Sequence, residues 1–126
     1  MAHSERFLKI VDDAKQRIRE ISPDETYARQ QSGDDLLVID TREDNEWEKG
    51  HVAGALHLGK GVIERDIEGV APELDREIIL YCGGGFRSAL SADALQQMGY
   101  TNVKSMSEGW RGWTSRNLPV EGTKTP

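Results

Sequence analysis

The sequence predicts an α/β domain with a small, open, mostly parallel central sheet and helices on both faces. Three observations carry this expectation. Leu36–Asp40 and Glu77–Cys82 are short, continuous apolar runs, the pattern of strands buried on both faces. Segments with apolar residues at three- and four-residue steps alternate with them, as helices covering such a sheet require. At 126 residues the chain suits one compact domain and leaves no room for two.

Taken in order, Phe7, Ile10, Val11, Ala14 and Ile18 mark an amphipathic helix over 4–20, capped by Ser4. Ser22-Pro23-Asp24-Glu25 then combines an N-cap, an N1 proline and a capping-box glutamate, opening a second helix that stops near Gly33. After the strand at 36–40, residues 43–49 form a short charged helix closed by Gly50, and Ala55–Leu58 is a second strand. Residues 61–75 read as a turn or two of helix and a loop. Glu77–Cys82 is followed by a glycine turn, a helix over 87–98 closed by Gly99, a strand at Asn102–Met106 and a last short helix at Trp110–Arg116. The organisation is an N-terminal helical extension at 1–20, a domain at 21–121 and a loose tail at 122–126.

Composition excludes several function classes. A net charge of −6 is the wrong sign for a general binder of nucleic acid or anionic membranes. No apolar run approaches a membrane span and no basic-then-apolar leader opens the chain, so the expected location is the cytoplasm. Cys82 is the one cysteine, which excludes an intrachain disulfide, a C-x-x-C pair and a cysteine-based zinc cage. It is either inert filling or a nucleophile.

Its surroundings decide for the nucleophile. Cys82 falls where a strand ends, at the carboxyl edge of the sheet, where open α/β folds bind ligands. Gly83, Gly84 and Gly85 follow, and their N–H groups can turn toward one point as an anion-binding nest. The helix that begins near Arg87 adds its positive end, so sulfur at the centre is stabilised as an anion. Arg87 offers a guanidinium fork to an anionic substrate.

Cys82-Gly83-Gly84-Gly85-Phe86-Arg87 resembles the C-x-x-G-x-R loop of single-domain rhodaneses, the sulfurtransferase homology domain. Asp40-Thr41-Arg42, Glu46-Trp47, Gly50-His51-Val52 and Gly54-Ala55 follow that family's order, and Gly99-Tyr100, Gly109, Trp113 and Leu118-Pro119 follow its ending. The resemblance covers roughly residues 20–121 and implies a rhodanese-like fold. It implies sulfur transfer through a persulfide on Cys82, from a small anionic donor such as thiosulfate to cyanide, a thiol or a partner protein. Gly83, Gly84, Gly85, Phe86 and Arg87 would bind substrate and persulfide, with Asp40 and Arg42 as supports for the loop. No metal or cofactor is implied, and a monomer or homodimer would suffice.

Phosphatases and arsenate reductases of this fold resemble C-x-x-x-x-x-R, one residue longer, with a nest wide enough for a tetrahedral oxyanion; four residues separate Cys82 from Arg87 here. Glu108 and Asn117 stand where the family has glycine. His51 and His57, without a carboxylate at ligand spacing between them, are expected to be structural. A second function class, a relay module that hands persulfide sulfur only to a dedicated protein, uses the same cysteine.

Overall fold

The computed structural model describes residues 3–122. Its centre is a five-stranded parallel sheet. In chain order the strands are β1 (Arg19–Ile21), β2 (Leu36–Asp40), β4 (Leu56–His57), β5 (Glu77–Tyr81) and β6 (Val103–Met106), and their order in space is β1-β6-β5-β2-β4. The central β5 is buried along its whole length, which is why its sequence shows no polar alternation. Alternate residues still serve different faces. Ile78 and Leu80 join Ile39, Ile63, Ile67 and Leu95 in one core, while Ile79 and Tyr81 join Val38, Met106 and Trp113 in the other.

The first core is covered by α4 (Ile63–Val70) and α5 (Phe86–Gln97), with α1 (Glu5–Lys15) packed on α5. The second is covered by α2 (Pro23–Gln31) and α6 (Gly109–Ser115), together with a small antiparallel pair, β3 (His51–Val52) and β7 (Val120–Glu121). A short helix α3 (Asp44–Glu48) follows β2. The caps are those the sequence indicates: Ser4 Oγ accepts from Phe7 N–H at 3.2 Å and Ser22 Oγ from Glu25 N–H at 3.0 Å. None of the helices described is long and apolar enough to cross a membrane.

One expectation is corrected. The helix expected over 4–20 stops at Lys15, because Arg19–Ile21 find backbone partners in Lys104–Met106 and add an edge strand to the sheet. Over 61–75 the expected turn or two of helix and loop are present: α4 makes two turns, with Ile63 and Ile67 fully buried, and a loop leads on to β5. Glu121, the last residue of the expected domain, is paired with His51 and accepts from Gly54 N–H at 2.9 Å; of the tail expected at 122–126, residues 123–126 lie outside the described residues.

Candidate active site

β5 delivers Cys82 to the carboxyl edge of the sheet, and the strand end beneath it is fixed from β2. Thr41 donates to Tyr81 O with both its N–H (2.8 Å) and its hydroxyl (2.9 Å). Asp40 and Arg42 form a buried ion pair at 2.7 Å, and Arg42 also donates to Gly50 O. Tyr81 donates its hydroxyl to Asp40 at 2.8 Å and accepts from Val52 N–H. Burial, then the Asp40 carboxylate, push its phenol well above the ordinary range, so Tyr81 stays a proton donor. Asp40 and Arg42 thus brace the strand end and do not line the pocket at the sulfur.

Beyond Cys82 the chain turns through Gly83–Gly85 into α5. Gly85 has φ +96° and caps the helix, a conformation that disfavours a Cβ. The turn aims Gly85 N–H at Cys82 Sγ (3.2 Å), and the first turn of α5 aims Ser88 N–H at it (3.3 Å). The N–H groups of Gly83 and Gly84 have no partner among the described residues. A second layer lies below: Ser88 Oγ is 3.5 Å from Sγ and 2.8 Å from Ser105 Oγ, all three residues being buried.

Above the loop is a pocket of about 200 Å³. Cys82, Gly83, Gly84 and Phe86 contribute from the loop, His3 and Phe7 from α1 and the residues before it, and Arg87 and Arg111 supply cations. Phe86 packs beside His3 (ring centroids 4.5 Å apart) and Phe7 (6.3 Å). Arg87 forms a two-pronged ion pair with Glu46 of α3 at 2.8 and 3.1 Å. That hydrogen-bonded guanidinium holds the Glu46 carboxyl down at about 2, against the opposing effect of burial.

The sequence-expected residues Cys82, Gly83, Gly84, Gly85, Phe86 and Arg87 therefore converge, with Asp40 and Arg42 behind them. Ser88, Ser105, Arg111, His3 and Phe7 were not anticipated. Ser88 could have been found from its place one turn into the helix that starts at the loop. Arg111 sits in the segment after β6, which reaches the same sheet edge. His51 and His57 do not line the pocket at the sulfur: His51 stacks on Trp47, and His57 Nε2 donates to Arg42 O at 2.8 Å. Glu108 adopts φ +63° and directs its carboxylate to Arg116, and Asn117 takes φ +54°.

Comparison with known proteins gives three kinds of match. The family model for the Rhodanese-like domain matches residues 22–116. Thiosulfate sulfurtransferase GlpE of Haemophilus influenzae is 32% identical over 105 residues, covering 83% of this chain and 96% of that protein. An uncharacterized protein of Escherichia coli K12, YibN, is 32% identical over 88 residues; the match spans 69% of this chain but only 62% of YibN. A solved structure from Rhodopseudomonas palustris, described as a protein of unknown function and possible tyrosine phosphatase, superposes with a TM-score of 0.86 at 27% identity, over 96% of this chain and 98% of that one.

Proposed function

The chain belongs to the rhodanese-like domain family, and from that premise we propose that it is a sulfurtransferase that carries sulfane sulfur as a persulfide on Cys82. The observation that carries the reading is the sulfur itself: a buried thiol at a sheet edge, met by two N–H groups at 3.2 and 3.3 Å. Donors fixed in this way stabilise negative charge without reorganising during the reaction.

Two steps follow. The Cys82 thiolate attacks the outer sulfur of thiosulfate; the Sγ–S bond forms, the donor's S–S bond breaks, and its electron pair leaves with sulfite. The persulfide sulfur, now anionic, can be met by the N–H groups of Gly83 and Gly84, which have no partner among the described residues. Cyanide or a thiol then takes that sulfur, and the Sγ–S electron pair returns to Cys82 as thiolate. Phe86 and Arg87 complete the binding loop, with Asp40 and Arg42 supporting it. A pocket near 200 Å³ is below the roughly 300–1,000 Å³ of sites for drug-sized ligands, which favours a small donor and acceptor.

The neighbour described as a possible tyrosine phosphatase brings phosphate-ester hydrolysis forward as a rival. Against it stands the short loop, with four residues between cysteine and arginine. Thiocyanate production from thiosulfate and cyanide, measured beside hydrolysis of an aryl phosphate, separates the two. The expected result is turnover of the first and none of the second, with Cys82→Ser reducing turnover to below about 1% because a hydroxyl is a poor nucleophile and forms no persulfide. Phosphatase turnover, or a Cys82→Ser variant that keeps its sulfur transfer, would overturn the proposal. Persulfide formation without discharge to small acceptors would favour the relay module.

A further inference from the structure

Arg87 is the arginine the loop itself supplies, yet its fork is already occupied. Both terminal nitrogens sit on the Glu46 carboxylate, which offsets much of the charge, and what the guanidinium still offers is directed at Cys82 itself rather than at the far end of a donor. A dianionic donor approaching a protein of charge −6 needs another cation close to the sulfur.

Arg111 is placed to be that cation. It lines the same pocket from α6, and it makes none of the ion pairs found among the described residues. The acidic side chain one turn before it, Glu108, is turned to Arg116 at 3.0 and 3.2 Å. Its backbone is stitched to the loop: Arg111 N–H donates to Gly83 O at 3.1 Å, and Trp110 N–H donates to Cys82 O at 2.7 Å. The side chain reaches back over the glycines, with Nη1 3.8 Å from where a Gly84 Cβ would stand.

Resting on the sulfur-transfer reading, we propose that Arg111 is the residue that recognises the oxyanion end of the donor, and that it selects donors whose transferred sulfur is bonded directly to a sulfonate. A guanidinium fork matches two sulfonate oxygens while the outer sulfur points at Cys82. Once sulfite has left, no sulfonate remains for the Arg111 fork, and the anionic persulfide sulfur is met by the loop N–H groups, so the role of Arg111 is confined to the first half-reaction.

The test is single-turnover kinetics on the full chain and on Arg111→Gln, an exposed position whose change leaves the core untouched. Formation of the persulfide from thiosulfate is expected to slow by about 10- to 100-fold in second-order rate, the scale of a lost charge-assisted hydrogen bond. Discharge of a preformed persulfide by a neutral dithiol is expected to change by less than about twofold. Arg111→Lys, which restores the charge without the fork, should recover part of the loss. Equal slowing of both half-reactions, or no slowing of either, would overturn the assignment of Arg111 alone. A wild-type chain that forms no persulfide would overturn the sulfur-transfer reading, and this proposal with it.

Discussion

At the scale of single residues, the donors around Cys82 form two layers. Gly85 and Ser88 N–H groups reach Sγ directly, while the Ser88 hydroxyl, 3.5 Å from Sγ, is linked at 2.8 Å to Ser105. Linked buried hydroxyls polarise one another, so the pair can strengthen the contact to sulfur. Ser88→Ala keeps the N–H and removes the hydroxyl. Persulfide formation is expected to slow by roughly fivefold, about 1 kcal/mol, in stopped-flow measurements, and an unchanged rate would remove the hydroxyl from the account. Glu46 acts on the loop through Arg87. Its folded-state value of about 2 lies below its ordinary 4.5. The pair therefore adds stability that is present above about pH 4.5 and is lost as pH falls toward 2. Both partners are about one-third exposed, so solvent screening limits the contribution to no more than about 1 kcal/mol. Urea unfolding of wild type and Glu46→Gln should show that difference at neutral pH, and the two curves should approach each other on acidification. A gap that widens in acid would contradict the assignment.

At the scale of elements, the site exists because α6 and the Cys82 loop share a boundary. Gly109 makes this contact possible: with φ +50°, an added Cβ would stand 2.3 Å from Cys82 O. Gly109→Ala must push the strand end and α6 apart, which should cost about 1–3 kcal/mol in chemical unfolding and break the Trp110 N–H bond to Cys82 O. A stable, fully active variant would show that this seam is softer than its geometry indicates. The elements that built the sheet centre were legible because burial on both faces writes itself as uninterrupted apolar sequence, as in Ile78–Leu80. The edge strand β1 was not, since Arg19 and Glu20 are exposed and only Ile21 is buried; its pairing to β6 is a backbone event with little side-chain signature. The two-residue strands β3 and β7 escaped for the same reason. Arg111 was hidden because nothing local says that the start of α6 folds onto Gly83.

At the scale of the whole molecule, α1 lies outside the family match at 22–116, yet it packs on α5 and brings Phe7 to the pocket, with His3 just ahead of it. The acidic chain therefore places its site between an aromatic edge from this helix and the cations Arg87 and Arg111. The loop's geometry was legible from the order of cysteine, glycines and arginine, because those residue types favour a turn that aims N–H groups at the sulfur. The pairing of Arg87 with Glu46, and the surplus cation at Arg111, follow only from tertiary placement. The central claim is that the molecule stores one sulfur atom on Cys82. Intact-mass measurement of the folded chain after brief exposure to thiosulfate, and again after cyanide, tests it most directly. The expected result is the gain of one sulfur atom mapped to Cys82, its complete loss on adding cyanide, and no gain in Cys82→Ser. A wild-type mass that does not change, or a gain that survives in Cys82→Ser, would contradict it.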